Sequence, residues 1–254
     1  MSVRAKRKLG QHFLVDENLL GVIGRMAGLE EHDVVLEVGP GLGVLTRYLA
    51  DRVRFVHAVE VDGSLEPHLR LGPRVSVTFA DALELDLGAL SPPPNKLVAN
   101  LPYAIATPLV AESFDRLPSV GLWCVMVQRE VAERFFAGPG TKAYGAVSVL
   151  LQLRAERTAL HPVSRTVFRP RPNVDSALVA FRRVPAPPAF PRIRRVVEGA
   201  FAHRRKTLPN SLALAGVATR AAAEVALAAI GRPAAIRAEA LAPAEFVALT
   251  AKLG

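Results

Sequence analysis

The chain has 254 residues and a mass of 27.2 kDa, room for one large domain or for a domain of ~180 residues carrying a smaller one. Half of the residues are hydrophobic and 22% are charged, which excludes wholesale disorder and collagen-like repeats, and the single cysteine, Cys124, excludes a disulfide framework or a Cys-rich zinc site within one chain and fits a reducing compartment, the cytoplasm. The net charge of +9 sits at the two ends: residues 1–8 hold four Lys/Arg and no acid, residues 9–182 hold 17 Lys/Arg against 19 Asp/Glu, and residues 183–254 hold 11 against 4.

In chain order, the first feature is the basic arm Arg4, Lys6, Arg7 and Lys8. Together with the basic tail it suits a polyanion gripped at one surface while another part does chemistry. A bland alternative is a compositional bias toward arginine, since Arg outnumbers Lys 26 to 6. Asp16 and Glu17 interrupt the segment behind the arm, and no run of 18 uncharged apolar residues exists, so neither a secretory signal nor a membrane span is expected. Asp16 then reads as an N-cap, with Leu19, Leu20, Ile23, Met26 and Ala27 at helical spacing behind it.

An apolar strand, Val34–Gly39, runs into Glu37-Val38-Gly39-Pro40-Gly41-Leu42-Gly43, and the next strand, Phe55–Val61, carries Glu60 near its end. Glycines there let backbone approach a ligand, and a carboxylate at the second strand's tip accepts from ribose hydroxyls. The dinucleotide fingerprint wants a third glycine where Val44 stands, so a nucleoside without pyrophosphate, such as S-adenosylmethionine, fits better than NAD or FAD. A third strand, Val75–Asp81, ends in Asp81-Ala82, a carboxylate placed for an adenine amino group unless it only caps its own turn.

The fourth strand, Lys96–Leu101, ends in Asn100-Leu101-Pro102-Tyr103. Pro102 keeps Leu101 extended, so Asn100 and Tyr103 splay into the cleft. An aromatic amine is a poor nucleophile because its lone pair is delocalised into the ring. The Asn100 side-chain carbonyl and a nearby main-chain carbonyl would accept its two hydrogens and favour a pyramidal nitrogen facing a sulfonium methyl, with proximity supplying most of the rate. Tyr103 offers a stacking face for an extruded base. Read alone, the tetrapeptide is equally a turn with a core tyrosine.

Thr107-Pro108 reads as N-cap and first position of a helix over 109–117. Later strands are expected at Trp123–Gln128, more weakly at Leu153–Val163, and at Ser176–Val184. Strands alternating with helices predict an α/β, Rossmann-like, mostly parallel sheet with helices on both faces. Pro185-Ala186-Pro187-Pro188 and Pro191 form a stiff linker over 185–191. Beyond it Val196, Val197, Ala200 and Phe201, then 221–230, then Phe246, Leu249 and Leu253 have helical spacing, so 1–184 is one domain and 192–254 a small, basic, all-helical one. Arg204, Arg205 and Lys206 read either as a solvated helix face or as polyanion contacts. Cys124 reads as a buried, inert thiol, and His57, His68, His161 and His203 lack metal-ligand spacing, so no metal is expected.

Taken together, Lys8–Leu14, Glu37–Thr46, Glu60, Asp81, Asn100–Tyr103, Gln128–Val131, Tyr144-Gly145 and Phe168–Ser176 resemble the rRNA adenine dimethyltransferase family, which comprises small-subunit (KsgA-type) enzymes and macrolide-resistance relatives acting on large-subunit rRNA. The resemblance implies a class I methyltransferase domain using S-adenosyl-L-methionine to dimethylate adenine 6-amino groups, on two adjacent adenines of small-subunit rRNA during ribosome assembly. It implies that His12 and Leu14 flank the methionine end of the cofactor, that Gly39 and Gly41 pass under it, that Glu60 holds the ribose and Asp81-Ala82 the adenine. It further implies that Asn100 bridges cofactor and target amine, with Leu101 and Pro102 shaping the catalytic turn, and that the Phe168 ring faces Tyr103 across the flipped base, unless Phe168 is only a core phenylalanine. The segment Phe201–Leu212 resembles the small-subunit branch, making rRNA of that subunit or its precursor the expected partner of a monomeric cytoplasmic enzyme with no membrane association. The rivals are a large-subunit resistance enzyme, a non-catalytic rRNA-binding assembly factor, and a DNA adenine methyltransferase, which would more often carry Pro-Pro inside the tetrapeptide.

Overall fold

The computed structural model describes Lys6 and residues 11–253; Arg4, Arg7 and Lys8 of the basic arm lie outside these. In chain order the elements are β1 (Phe13–Leu14), α1 (Glu17–Ala27), β2 (Val34–Val38), α2 (Val44–Ala50), β3 (Phe55–Glu60), β4 (Val75–Phe79), β5 (Lys96–Asn100), α3 (Ala106–Arg116), β6 (Leu122–Gln128), α4 (Arg129–Phe135), α5 (Ala146–Gln152), β7 (Ala155–Val163), β8 (Phe168–Arg169), β9 (Ser176–Arg183), α6 (Phe190–Ala202), α7 (Leu208–Leu214), α8 (Arg220–Ala229) and α9 (Pro243–Lys252). They divide into two compact units, Met1–Ala132 with Glu156–Arg183, and Glu133–Ala155 with Val184–Gly254. Among the described residues no helix is long and apolar enough to cross a membrane.

The first unit is a seven-stranded sheet in the order β4-β3-β2-β5-β6-β9-β7. Strands β2 to β6 run parallel, and β9 pairs antiparallel with β6. The apolar runs form strands because helices cover both faces: all five residues of β2 are buried, as are Leu97, Val98 and Ala99 of β5. Helix α1 starts where Asp16 accepts from the Asn18 N–H at 2.8 Å and stops at Gly28 in the left-handed region. Its Leu19, Leu20, Ile23 and Ala27 stripe is buried.

The strand order reverses between β2 and β5, with β3 and β4 on one side and β6 on the other. Loops leaving the carboxyl ends of β2 and β5 therefore part in opposite directions, opening a crevice at that point. One boundary differs from expectation. Helix α3 begins at Ala106, with Ile105 at its cap, so Thr107 and Pro108 lie inside it. The reason is the tight turn after β5, in which the Ile105 N–H donates to the Pro102 carbonyl at 3.1 Å and starts the helix early.

The second unit is helical, packed around Tyr144, Val149, Val197, Leu212, Leu227 and Phe246. Residues Glu133–Ala155 belong to it although β7 and β9 intervene before its other part, a division that a cut at 184 does not anticipate. Tyr144 explains the return: it is fully buried and its hydroxyl donates to the Leu241 carbonyl at 2.7 Å. Pro191 lies in the first turn of α6, so helix replaces the last part of the expected linker. Arg204, Arg205 and Lys206 occupy the exposed turn between α6 and α7 and form no helix face; α7 itself carries too short an apolar pattern to stand out.

Candidate active site

A cleft of about 210 Å³ opens at the carboxyl ends of β2, β3 and β5. Its walls bring together Gly39 and Gly41 after β2, Glu60 at the end of β3, Asp81 and Ala82 after β4, and Asn100, Leu101, Pro102 and Tyr103 after β5, with Gln11, His12 and Phe13 of the arm closing one side. A smaller recess of about 30 Å³ shares His12, Phe13, Gly39, Gly41 and Asn100 and is completed by Leu14 and Glu37.

The two glycines are required by contact as well as conformation. Gly39 has φ +76°, and a Cβ there would lie 3.0 Å from two Pro102 ring carbons; Gly41 has φ +59°, and its Cβ would lie 3.0 Å from the Phe13 ring. Absent side chains thus bring the glycine turn against the tetrapeptide and the arm. Glu60, nearly fully buried, accepts from the Gly41 N–H at 3.1 Å through Oε2 and from the Asp62 N–H at 2.9 Å through Oε1. Each oxygen keeps a lone pair for a donor in the cleft. Asp81 caps its own turn, its Oδ1 accepting from the Leu83 N–H at 2.8 Å, and its exposed carboxylate also lines the cleft.

Asn100 is oriented by the arm. Its Nδ2 donates to the His12 carbonyl at 3.2 Å, which leaves Oδ1 as the acceptor. The His12 ring donates from Nδ1 to the Pro170 carbonyl at 2.8 Å, since that carbonyl only accepts, and lies 5.7 Å from the Tyr103 ring at a 32° tilt. Tyr103 shares a 2.7 Å hydrogen bond with the Ser176 hydroxyl, and burial holds its phenol protonated. His12 therefore contributes its main-chain oxygen to the site and uses its ring to tie the arm to the 168–176 loop.

Glu37 is fully buried, and its Oε2 has no hydrogen-bond partner among the described residues. Burial pushes its carboxyl up to about 8, with the nearby Glu60 charge adding to the rise. A folded-state value above the unfolded one means that stability is fully present below about 4.5 and is lost as pH climbs through about 8. Glu37→Gln keeps the shape and removes the titration, so its melting temperature should stay close to wild type near pH 5 and exceed it by ~5 °C or more at pH 9. Parallel melting curves across that range for both proteins would refute the buried-acid assignment. Cys124 is buried, and burial raises its thiol to about 12, consistent with an inert core residue.

Three expected site residues are placed differently. Phe168 is fully buried in the core with Leu14, its β1–β8 pairing partner, so it does not face Tyr103 across a gap. The antiparallel ribbon turns alternate side chains to opposite faces, and Phe168 falls on the inward one. Leu14 is on that face too, 5% exposed, and reaches only the smaller recess. Lys6, expected on RNA, pairs with the buried Asp62 at 2.6 Å and with the Ser64 hydroxyl at 2.9 Å. Although burial opposes it, hydrogen bonds from Lys6, Ser64 and Gln11 hold the Asp62 carboxyl well below the usual range, so charge neutralisation inside the protein engages this lysine. Asp62 and Gln11, joined at 2.9 Å, fasten the arm beside the cleft; Gln11 was visible in the sequence, but only the fold supplied its partner.

A family described as "Ribosomal RNA adenine dimethylase" matches residues 2–242. The "Ribosomal RNA small subunit methyltransferase A" of Rubrobacter xylanophilus is 50% identical over 97% of this chain and 94% of its own length, and that of Thermobifida fusca is 43% identical over 97% and 89%. Among solved structures, the 23S rRNA methyltransferase ErmE superposes with TM-score 0.71 at 29% identity, covering 95% of this chain and 99% of that one. A dimethyladenosine transferase from Plasmodium falciparum superposes with TM-score 0.78 at 23% identity, covering 94% and 96%.

Proposed function

Because the chain belongs to the ribosomal RNA adenine dimethylase family, we propose that it places two methyl groups on the 6-amino group of each of two adjacent adenines in small-subunit rRNA. S-adenosyl-L-methionine bound in the cleft supplies the methyl group. The observation that carries the reading is the convergence of Glu60, Asp81 and Asn100–Tyr103 on one crevice whose floor, Gly39 and Gly41, leaves room only for backbone. That acceptor set fits an adenosine: Glu60 accepts from ribose hydroxyls and Asp81 from the adenine amine, while Ala82 walls the base.

Asn100 performs the orienting step on the target amine. With Nδ2 tied to His12, Oδ1 accepts one amine hydrogen, and a main-chain carbonyl of the Leu101–Pro102 turn accepts the other, so the nitrogen lone pair is directed at the incoming methyl. Tyr103 supplies one stacking face for the extruded adenine, and its bond to Ser176 fixes the ring plane. The full-length identity to small-subunit enzymes favours that substrate over large-subunit rRNA, and the intact acceptors argue against a non-catalytic assembly factor. The test is incubation with labelled cofactor and, separately, unmethylated 30S particles, 50S particles and duplex DNA, followed by mapping of the labelled base. Dimethyladenine confined to 30S RNA is expected; label in 50S RNA or DNA, or none at all, overturns the reading.

The exposed turn Arg204, Arg205 and Lys206 grips phosphates on this reading. Arg204 already donates to the Tyr144 carbonyl at 3.2 Å, so one to two net contacts are expected from the three side chains. Replacing all three by Ala should flatten the plot of log affinity against log salt by ~1–2 and leave cofactor affinity untouched, each phosphate contact counting for ~0.7–0.9. An unchanged slope, with the helical unit still melting normally, returns the segment to a solvated surface.

A further inference from the structure

Two arginines of the catalytic unit lie outside both basic ends. Residues 168–176 leave β8 and enter β9, and this loop is fastened to the active site twice: the Pro170 carbonyl accepts from the His12 ring at 2.8 Å, and the Ser176 hydroxyl meets the Tyr103 hydroxyl at 2.7 Å. Between these points the side chains sort by burial. Phe168, Pro172 and Ser176 are buried, whereas Arg169, Arg171 and Val174 are exposed. Arg169 pairs in register with Phe13, which lines the cleft, so the ribbon turns both to the same face.

A third arginine, in the turn just before the loop, differs. Arg165 donates to the Asn173 carbonyl at 3.3 Å and approaches Asp175 at 4.0 Å, which balances the loop's single acid and braces its far limb. The side chains of Arg169 and Arg171 have no hydrogen-bond or ion-pair partner among the described residues. Two exposed guanidinium groups, presented by a loop stiffened with Pro170 and Pro172 and pinned to the cleft residues His12 and Tyr103, are an uncompensated positive charge on a segment tied to the cleft, with Arg169 on the face of the ribbon that Phe13 turns to it. A solvated pair of arginines needs no such bracing.

We propose that Arg169 and Arg171 hold phosphates of the RNA strand flanking the target adenine; this rests on the reading of the chain as an enzyme acting on RNA. The forked guanidinium suits phosphate oxygens, and such contacts set register without reading sequence. With the flanking phosphates held beside Tyr103, the extruded base has a short path to Asn100.

The experiment compares wild type, the double variant Arg169→Ala/Arg171→Ala and the charge-keeping Arg169→Lys/Arg171→Lys, each binding unmethylated 30S particles across a salt series, with S-adenosylmethionine affinity measured in parallel. Two contacts predict a salt slope lower by ~1.4–1.8 in the alanine variant, with most of it kept in the lysine variant, and unchanged cofactor affinity. KM for the particles should rise ~10-fold or more. An unchanged slope overturns the proposal, as does a loss of cofactor affinity equal to the loss of particle binding, which would make the loop a support for the cofactor cleft. Dimethyladenine formation by wild type in the same particles is read separately, so failure of the functional reading shows as absent methylation and failure of the grip as an unaltered slope.

Discussion

Asn100→Ala should lower the methylation rate at least ~100-fold while changing RNA affinity little. The expected size follows from the role proposed for the side chain in the reaction. Its Oδ1 accepts from an amine whose hydrogens become more acidic as the nitrogen attacks, so the bond strengthens toward the transition state, and loss of one such oriented acceptor costs ~2.7–4 kcal/mol. The orientation comes from the arm, through the 3.2 Å bond from Nδ2 to the His12 carbonyl. Asn100→Asp tests that detail, because a carboxylate has no hydrogen to give His12 and would set a charge against a carbonyl oxygen. Single-turnover rates with saturating particles, alongside equilibrium binding, separate the effects. Equal loss of rate and of binding in Asn100→Ala would mark the residue as structural.

Glu60→Ala is expected to weaken S-adenosylmethionine binding by ~1.5–3 kcal/mol, roughly 10- to 150-fold, since on the proposed reading it removes a charged acceptor from the ribose hydroxyls. The same carboxylate receives the Gly41 and Asp62 N–H groups, so its loss also loosens the glycine turn and the Asp62 anchor of the arm. Glu60→Gln retains size and one acceptor oxygen and should lose less than the alanine variant. Calorimetry with melting curves for both variants is the measurement; unaltered affinity in a folded Glu60→Ala protein would remove the ribose assignment.

Much of this architecture is written in short stretches of sequence. Most of the sheet strands arise from apolar runs bounded by turn residues, and their order along the chain, with helical stretches between, leads to a mostly parallel sheet because crossovers need a helix's length. The glycine turn, Glu60, Asp81 and Asn100–Tyr103 are legible for the same reason: each sits at the end of a strand, and in this topology strand ends meet at one crevice. The Asp16 cap is local as well, closed within two residues.

What the tertiary structure decided depends on partners far away in sequence. Phe13 and Phe168 both stand in motifs, yet no periodicity tells a two-residue ribbon which ring goes in. Pairing of β1 with β8 sends Phe168 to the core and Phe13 to the cleft. The His12 carbonyl meets Asn100 across 88 residues and the His12 ring meets Pro170 across 158. Lys6 looks like a phosphate ligand until the fold sets the buried Asp62 beside it, 56 residues on. Tyr144 draws residues 133–155 into the helical unit because its hydroxyl, once buried, must find an acceptor, and Leu241 provides it. Local pattern determined which elements form and where their tips carry chemistry. Long-range pairing and the need to satisfy buried charges and polar groups decided which motif residues face the cleft, which become core, and which hold others in place.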